Sequence, residues 1–352
     1  MKSVLIINKK QFGYHTDSYE LAKYLSSKYK VVFFCYDSGR DKHKVANVEV
    51  VYISNTGNFI TRVIRFLRAA ITEAKKEYDF RFLTYFNGCA IVKLISNKRF
   101  ILDFRTGSVD PSNIKRQVND GFKSLESRVF ETITVISTGL RDYLKIPSHK
   151  AYFLPLGANI LSKKNKTFST PKLFYIGTLF NRNIEETIQG MGVFIKNNPS
   201  LKDAISYDIV GTGTDNDLKK ITATIKASQL ENVVKLHGFK SHEDTQELFD
   251  NCNIGVAYVP MTTYFNHQPA TKVYEYILSG MLCIATNTFE NKKSIVPANG
   301  ALCDDNSEAF AQALETLVKT FPNYNSEAIR HTLIDNEWNK IFEAFEKNCL
   351  LK

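Results

Sequence analysis

The feature that most constrains the fold is the regular alternation of short apolar runs with helical patterns. In the first half the apolar runs include "SVLIIN", "KVVFFCY", "VEVVYI", "RFLTYF" and "RFILDF". Amphipathic patterns such as "TDSYELAKYLSSKY" separate several of them, and Thr16 or Asp17 is the predicted N-cap of that helix. Strands alternating with helices predict a parallel sheet that is covered by helices on both faces.

The same pattern restarts near residue 171, so the sequence predicts two doubly wound α/β domains. "KLFYIGT", "ISYDIVGTG", "VVKLHGF", "IGVAYVP" and "LCIATN" are the predicted strands of the second domain. A chain of 352 residues also exceeds what one core usually holds. We therefore predict a domain over 1–165, a second over 166–325 and a helical tail over 326–352, with a polar linker at 162–172.

Composition excludes several protein classes. No apolar run approaches the roughly 18 residues of a membrane-spanning helix. The first apolar run is too short for a signal peptide, so we expect a cytoplasmic protein. None of the cysteines forms a CxxC pair, which favours reduced thiols over a disulfide framework or a zinc site. They are Cys35, Cys89, Cys252, Cys283, Cys303 and Cys349.

Positive charge is concentrated in the first half. Residues 1–165 carry 28 Lys and Arg against 14 Asp and Glu, whereas 166–352 carry 18 against 22. A basic domain attracts polyanions or an anionic membrane, although a generally lysine-rich proteome gives the same excess. Arg62, Arg65 and Arg68 lie on a helical pattern over 59–79 that has apolar residues on its other side. This helix is expected either to lie on an anionic membrane or to be an outer helix that packs on its own sheet. The two are compatible, because the basic side could face lipid headgroups.

The stretch "HQPATKVYEYILSG" is the strongest candidate binding site. A loop leads into a helix, with Lys272 in the first turn and Glu275 one turn further on nearly the same face. A lysine at a helix start opposes the helix dipole unless an anion is bound there. A carboxylate can hold two neighbouring ribose hydroxyls, so the pair predicts a nucleotide diphosphate pocket. The alternative is an ordinary salt bridge between residues three apart.

Two other glycine loops follow predicted strands. In "YDIVGTGTDNDL", Gly211 and Gly213 allow backbone amides to approach a ligand, but paired glycines alone are a weak signal. Asp215 and Asp217 form a DxD that could hold a metal, yet their place in a first helical turn favours a structural role. In "FYIGTLFNRN", Arg182 follows the strand and either grips a diphosphate or is solvated.

Together these stretches resemble glycosyltransferase family 4, a group of retaining enzymes with the two-domain GT-B fold. The resemblance rests on "LFYIGTL", "YDIVGTG", "VVKLHGF" and "PATKVYEYILSGMLCIAT", supported by "ETITVISTGLRDYL" and "YFLPLGAN". It implies that the C-terminal domain binds the sugar nucleotide and the N-terminal domain the acceptor, with a cleft between them. It also implies that the final helix crosses back to the N-terminal domain.

The resemblance assigns donor-binding roles to residues of the second domain. Glu275 resembles the second Glu of the family's E-x7-E motif, which holds the ribose, and amides at Thr271 and Lys272 contact the diphosphate. Gly177 resembles the glycine before the basic pair of the family, and Phe239 lies in the loop that lines the base. Gly211 and Gly213 match paired glycines near the nucleotide.

Three positions depart from the family pattern. His267 stands where the first Glu is expected, and we expect it to bond a hydroxyl of the donor sugar. Thr178 replaces the usual Arg, and Asn183 replaces the usual Lys. Arg182, next to Asn183, is then expected to supply the missing charge. A variant without the first Glu is common in the family, so these departures do not predict loss of activity.

In the first domain the resemblance is weaker. Asp103 and Arg105 end a predicted strand, where the family often has an acceptor-side or catalytic polar residue. Gly13 resembles the glycine of the first loop, which approaches the donor, with Tyr14 and His15 beside it. A purely structural role is the alternative for each of these residues.

The sequence thus predicts a retaining transferase that moves a hexose-type sugar from a nucleotide-diphospho-sugar to a glycan or lipid-linked acceptor, in bacterial surface polysaccharide synthesis. No cofactor or essential metal is expected, since Lys272, Arg182 and helix-start amides would stabilise the leaving diphosphate. Peripheral attachment to an anionic membrane is a further expectation. The alternatives are a sugar-nucleotide epimerase and a non-catalytic nucleotide-sugar-binding partner. Nucleic acid is not an expected partner, because no recognised motif accompanies the charge.

Overall fold

A computed structural model of the protein describes residues 1–108, 110, 112–241 and 243–351. The chain divides into two compact units: an N-terminal unit of Met1–Leu156 with Trp338–Lys352, and a C-terminal unit of Gly157–Glu337. No helix among the described residues is both long and apolar enough to cross a membrane.

The unit boundaries lie at 157 and 337 rather than at the expected 165 and 325. Side-chain bonding explains both differences. The amide of Ser162 donates to the hydroxyl of Ser279 at 3.3 Å, which ties the start of the linker to the C-terminal unit. The hydroxyl of Ser326 donates to the carbonyl of Gly280 at 2.9 Å, which ties the segment after 325 to the same unit.

The N-terminal unit contains a parallel sheet whose strands have the order β3-β2-β1-β4-β5-β6-β7 among the described residues. Its strands are β1 Ser3–Ile7, β2 Lys30–Asp37, β3 Val48–Ser54, β4 Phe80–Thr84, β5 Ile101–Phe104, β6 Thr132–Val135 and β7 Ala151–Phe153. Its first helices are α1 Thr16–Leu25, α2 Phe59–Lys75, α3 Cys89–Ser96, α4 Asn113–Ser127 and α5 Thr138–Tyr143. The order reverses between β1 and β4, as in a doubly wound sheet.

The C-terminal unit repeats this architecture with the order β10-β9-β8-β11-β12-β13, also parallel. Its strands are β8 Lys172–Thr178, β9 Ser206–Thr212, β10 Val234–Gly238, β11 Ile254–Ala257, β12 Leu282–Thr286 and β13 Gly300–Cys303. Its helices are α6 Ile184–Asn197, α7 Asp215–Ala227, α8 Gln246–Asn251, α9 Thr263–Asn266, α10 Thr271–Leu278, α11 Asn291–Ser294, α12 Ser307–Lys319 and α13 Ser326–His331. The predicted α/β fold of two Rossmann-like domains is confirmed.

Helix α14, Trp338–Phe345, and a π-helical turn, Glu346–Leu350, return the chain to the N-terminal unit. Trp338 and Phe345 are buried there, which agrees with the expected return of the final helix. The carboxylate of Glu346 accepts hydrogen bonds from the hydroxyls of Tyr24 (3.0 Å) and Tyr29 (2.7 Å) and pairs with Lys28 at 2.5 Å. These bonds hold the pKa of Glu346 below its usual range, although burial acts in the opposite direction.

Local details differ from the sequence predictions in several places. Helix α3 lies in a stretch for which no helix was predicted, and strand β13 was not predicted either. The helix predicted over 59–79 ends at Lys75. The N-cap of α1 is His15, and not Thr16 or Asp17, because its ring nitrogen accepts the Ser18 amide. Burial lowers the pKa of His15, which favours the neutral ring that can accept this bond.

Gly211 is required by the pairing of two strands. It lies opposite Gly177 in the β8–β9 register, and a Cβ at 211 would stand 1.9 Å from the Gly177 carbonyl oxygen. Because that oxygen belongs to a central strand, it cannot move aside alone. We expect Gly211→Ala to lower the free energy of unfolding by about 2–4 kcal/mol, measured by urea denaturation.

Gly192→Ala is the matched control for this substitution. Gly192 lies inside α6, and an added Cβ would meet its nearest neighbour at 3.8 Å. An alanine there is expected to raise stability by about 0.5–1 kcal/mol, because glycine is unfavourable within a helix. Equal stability of Gly211→Ala and the wild type would contradict the close-approach explanation.

Candidate functional site

A cavity of about 260 Å³ lies in the C-terminal unit where the strand order reverses. Strands β8 and β11 are neighbours there, and the chain leaves them in opposite directions across the sheet. Their carboxyl ends, the following loops and the start of α10 line the cavity. In doubly wound sheets such a crevice is the usual ligand site. The lining residues are Tyr175–Thr178, Arg182, Val256–Val259, Phe265, Gln268–Lys272 and Asn291.

Helix α10 is fixed against these two strands by one buried tyrosine. The hydroxyl of Tyr276 accepts a hydrogen bond of 3.0 Å from the amide of Ile176 in β8. Its ring covers Gly255 in β11, where a Cβ would stand 2.1 Å from the ring. The glycine therefore lets the helix approach the sheet closely, which holds the start of α10 at the cavity.

The first turn of α10 has no side-chain cap. Its N-cap residue is Ala270, whose methyl group cannot accept a hydrogen bond. In α7 and α12, by contrast, the N-cap side chains of Thr214 and Asn306 each accept a backbone amide from the first turn of their own helix. Alanine is a poor N-cap, costing about 1 kcal/mol relative to Ser, Thr, Asp or Asn. Ala270, Thr271 and Lys272 all line the cavity. An anion bound there would accept these amides and gain from the helix dipole.

Two cationic side chains line this cavity. The ammonium group of Lys272 forms an ion pair with the Glu275 carboxylate, and their side chains are 32% and 15% exposed. The guanidinium of Arg182 lies over the Phe265 ring, 4.6 Å from its centre, and donates to the Asn181 carbonyl at 3.2 Å. The salt bridge considered as an alternative for Lys272 and Glu275 is therefore present, and its lysine lines the cavity.

The structure brings five of the predicted donor-site residues together around the cavity: Gly177, Thr178, Arg182, Thr271 and Lys272. Glu275 reaches this group through Lys272. Phe239 lies after β10 and is 77% exposed. The His267 ring is tilted by 57° against the Phe289 ring, with 5.8 Å between ring centres. Neither Phe239 nor His267 belongs to the described cavity lining.

The glycine loop after β9 has structural partners. Gly213 lies close to Leu179 and Asp217, and Gly211 lies against Gly177. Asp217 completes a capping box with Thr214, accepting its amide at 2.7 Å. The structural interpretation of this aspartate is therefore confirmed. Among the described residues no group of three or more His, Cys, Asp or Glu is placed to hold a metal.

Several cavity residues were not predicted from the sequence. Phe265 and Asn291 belong to no motif. Gln268 and Tyr175 lie within stretches singled out in the sequence, but neither was assigned a role, and Tyr175 belongs to a strand with an ordinary core pattern. The available signal was position alone: Tyr258 and Val259 follow the carboxyl end of β11, as Arg182 follows β8. Residues after neighbouring parallel strands meet at one edge of the sheet.

The N-terminal unit holds a buried ionic cluster at its own sheet edge. The Arg105 guanidinium pairs with Asp17, donates to the Leu154 carbonyl at 2.7 Å and lies 3.7 Å from Asp103. Asp103 accepts the Thr134 hydroxyl at 2.7 Å. Asp103 and Arg105 are only 3% and 6% exposed. Asp17, which had been considered only as a cap, is thus the main partner of Arg105.

Burial raises the pKa of Asp103 from 3.8 to about 6, although Arg105 partly opposes this. A raised folded-state pKa means that the folded protein binds this proton more tightly than the unfolded chain. The contribution to stability is present at low pH and is lost as pH rises from about 4 to about 6. At 1.36 kcal/mol per pKa unit the loss is roughly 2–3 kcal/mol.

We expect Asp103→Asn to abolish this loss. The variant should gain stability relative to the wild type between about pH 4 and pH 7, measured by urea denaturation. An asparagine oxygen still accepts the Thr134 hydroxyl, so the local packing is retained. Asp142→Asn is the control, since Asp142 is largely exposed. A stability difference independent of pH would contradict the raised pKa.

Gly13 lies in the first loop of the N-terminal unit with φ +93°, a conformation that favours glycine. A Cβ there would stand 2.1 Å from the His43 ring. The Tyr14 ring meets His43 edge-on, with 5.4 Å between ring centres. Close packing with His43 is thus sufficient to require a glycine, and its predicted approach to a donor stays a prediction.

Solved structures of other proteins share this fold. Sucrose-phosphate synthase from Thermosynechococcus elongatus matches with a TM-score of 0.75 and 13% identity over 99% of this chain and 98% of that one. Anabaena HepE, solved with UDP and glucose, matches with a TM-score of 0.74 and 14% identity over 99% of both chains. A glycosyltransferase from Rickettsia africae matches at 0.73 and 15% identity over 100% and 99%. The chain has their fold, GT-B.

The family comparison concerns the C-terminal unit. Residues 170–320 match the family model described as Glycosyl transferases group 1. The matched residues include every residue that lines the cavity. A search of curated proteins found no match to this sequence.

Proposed function

We propose that the protein is a glycosyltransferase that takes its sugar from a nucleotide-diphospho-sugar. The observation that carries the proposal is the uncapped start of α10, which lines a cavity at the strand-order reversal together with Lys272 and Arg182. Two cations and a helix start are suited to a diphosphate. The glycosyl transferases group 1 domain contains this cavity, which supports the same reaction class.

A hexose-type donor is the finer proposal. HepE was solved with UDP-glucose, and sucrose-phosphate synthase is a second relative in fold. The ribose of the nucleotide would be held by Glu275, which lies one helical turn beyond Lys272. The base would lie near Phe239, whose exposed ring is available for stacking. His267 would bond a hydroxyl of the donor sugar.

The reaction is proposed to proceed with retention and without an essential metal. The bond between the anomeric carbon and the diphosphate oxygen breaks, and the acceptor oxygen bonds to the same face of that carbon. The acceptor proton passes to the leaving phosphate oxygen. Negative charge grows on the diphosphate in this step, and Lys272, Arg182 and the first amides of α10 would stabilise it. Asp103 and Arg105 are proposed to act on the acceptor side.

The proposed acceptor is a glycan or a lipid-linked sugar in bacterial surface polysaccharide synthesis. The basic N-terminal unit supports an anionic acceptor or carrier, since residues 1–165 have twice as many basic as acidic residues. The donor is a cytoplasmic metabolite class, so we place the reaction in the cytoplasm, with peripheral attachment to the inner face of the membrane.

The test is a thermal-shift screen with UDP, GDP, ADP and CMP, each with and without EDTA. We expect one nucleotide to raise the melting temperature by several degrees, with no effect of EDTA. The corresponding sugar nucleotides are then incubated with the protein, and release of the nucleoside diphosphate is measured. Loss of the shift in EDTA would contradict the metal-free proposal.

The same assay separates the alternatives. Donor binding without hydrolysis or transfer, over a panel of lipid-linked and glycan acceptors, would favour a non-catalytic partner, to which the replaced motif positions Thr178 and His267 also point. Conversion of the sugar nucleotide to its epimer without an acceptor would favour an epimerase. Acceptor-dependent release of nucleoside diphosphate, with the product anomer retained, would support the proposed transferase.

A further inference from the structure

Helix α4 of the N-terminal unit has its apolar side turned to solvent. Ile114, Val118, Phe122 and Leu125 recur at helical spacing and are 53–75% exposed. The side chains that α4 buries are instead polar: Asp120, Lys123 and Ser127. An ordinary surface helix has the reverse arrangement, with its apolar stripe towards the core.

A buried polar network fixes α4 in this orientation. The Asp120 carboxylate accepts the Ser108 amide at 2.7 Å, the Lys123 ammonium at 2.8 Å and the Tyr143 hydroxyl at 2.9 Å. Turning the apolar side inward would break these bonds and separate the charges of Asp120 and Lys123 from their partners. Loss of a partner is costly for a buried charged group. The outward position of the apolar side is therefore built into the unit.

The two preceding helices, α2 and α3, also expose apolar side chains. Helix α3 packs between α2 and α4. Within the described residues the three helices expose ten large apolar side chains, each at least 44% exposed, which we call the apolar face. Its members are Phe59, Ile60, Ile64, Ile91, Leu94, Ile95, Ile114, Val118, Phe122 and Leu125. Clusters of this size on a soluble protein mark interaction surfaces.

Charges around the apolar face are mainly positive. Helix α2 carries Arg62, Arg65, Arg68 and Lys75, whereas its acid, Glu73, is buried. Lys115 and Arg128 are exposed on and next to α4. Among the acids nearby, Glu77 and Glu131 form ion pairs with Lys98 and Lys93, both at 2.9 Å. Glu126 of α4 is half-buried and accepts the Gly88 amide at 2.9 Å. An apolar face with a basic surround is complementary to a bilayer with anionic headgroups.

We propose that the apolar face of α2, α3 and α4 is a membrane-docking surface for bilayers that contain anionic lipid. The apolar side chains enter the boundary between headgroups and acyl chains, and the arginines and lysines contact the phosphates. The helices lie on the membrane, since the longest, α2, has 17 residues and four basic side chains. A second copy is a poorer occupant, because docking two such faces would oppose their basic residues.

This proposal differs from the membrane helix expected from the sequence. That expectation turned the arginines of 59–79 outward to the lipid, whereas Arg62 and Arg65 are half-buried and Phe59, Ile60 and Ile64 are exposed. Arg65 donates to the Ser54 carbonyl at 3.1 Å and to the Thr56 carbonyl at 2.9 Å. The proposed docking therefore depends on insertion of the exposed apolar side chains of α2, α3 and α4, and not on the arginines of α2 alone. The proposal does not depend on the transferase reaction.

The test is flotation of the full chain with vesicles of phosphatidylcholine, with and without phosphatidylglycerol. We expect binding to the anionic vesicles that weakens with salt. The double variant Ile114→Ser with Phe122→Ser is expected to bind about 30-fold more weakly or worse. Val296→Ser with Leu351→Ser is the control, since it removes two exposed apolar side chains outside the three helices and should bind like the wild type.

A second pair of measurements separates charge from insertion. Arg68→Gln with Lys115→Gln should weaken binding to anionic vesicles about tenfold and leave binding to neutral vesicles unchanged. Phe122→Trp places an indole on the face, whereas the natural Trp338 is 4% exposed. Brominated lipids should quench the fluorescence of the variant and not that of the wild type.

Each other outcome would overturn the proposal. Wild-type protein that stays unbound to anionic vesicles, or a Phe122→Trp variant whose fluorescence brominated lipids do not quench, would exclude docking through this face. A concentration-dependent dimer without vesicles, made monomeric by Ile114→Ser with Phe122→Ser, would assign the face to a second copy. All variants should keep the wild-type thermal shift with nucleotide, so failure here is distinct from failure of the donor site.

Discussion

Replacing Lys272 by alanine is expected to reduce kcat by about 10²–10³-fold, because its ammonium group would stabilise the charge that grows on the leaving diphosphate. The substitution also leaves Glu275, its ion-pair partner, as an unpaired carboxylate beside that charge. The measurement is steady-state release of the nucleoside diphosphate from the donor identified by the thermal-shift screen. Lys272→Arg keeps the charge and should recover part of the activity.

A binding measurement tests whether Lys272 acts on the second phosphate of the nucleoside diphosphate. Lys272→Ala should weaken binding of the nucleoside diphosphate tenfold or more, roughly the loss of one charged hydrogen bond, and change binding of the monophosphate little. Lys219→Ala removes an exposed lysine from α7 and should leave both affinities and kcat unchanged. A twofold loss is far smaller than the loss expected for a group that stabilises the transition state. Activity of Lys272→Ala within about twofold of the wild type would therefore refute the role of Lys272 in stabilising the leaving diphosphate.

The second large effect is expected at Glu275. Glu275→Ala should raise the KM for the sugar nucleotide about 10–100-fold, because two ribose hydroxyls lose a charged acceptor. The distinguishing measurement compares a nucleoside diphosphate with its 2′,3′-dideoxy analogue. The wild type should prefer the ribose form, and the variant should bind both equally.

Loss of the Lys272 ion pair alone would not erase this preference, so the comparison separates a ribose role from a structural one. Glu315→Ala is the matched control: it breaks a Lys–Glu pair of 2.8 Å with Lys319 on α12. It should leave the KM for the donor unchanged. A ribose preference that survives in Glu275→Ala would show that this carboxylate only positions Lys272.

The fold could be predicted from the sequence because its signal is local. Runs such as "SVLIIN" and "KLFYIGT" became β1 and β8, and the restart near 171 marked the second sheet. Helix α3 was missed because its eight residues read as another apolar run. The sequence alone cannot show that its Ile91, Leu94 and Ile95 face solvent. Which side of a helix faces solvent depends on the neighbouring elements that cover its other side.

The candidate site was predicted where a motif combines a helix start with unusual side chains. Lys272 in a first turn conflicts with the helix dipole, and that conflict is visible in the sequence. Phe265, Gln268 and Asn291 show no such conflict, and they join the cavity only because α9, α10 and α11 meet at one sheet edge. The glycines at 211 and 213 illustrate the reverse case, since strand pairing and helix capping already account for them.

By itself, the sequence determined the class of fold, the two-unit organisation and the position of the diphosphate candidate at Lys272 and Glu275. These three features depend on hydrophobic periodicity and on residues within four positions of one another, so the local sequence is enough to predict them. Only the tertiary structure decided that Arg105 pairs with Asp17, 88 residues away, and that α4 buries Asp120 and leaves Phe122 outside. Such arrangements depend on burial and on partners distant in sequence, and these exist only once the sheets and helices have packed.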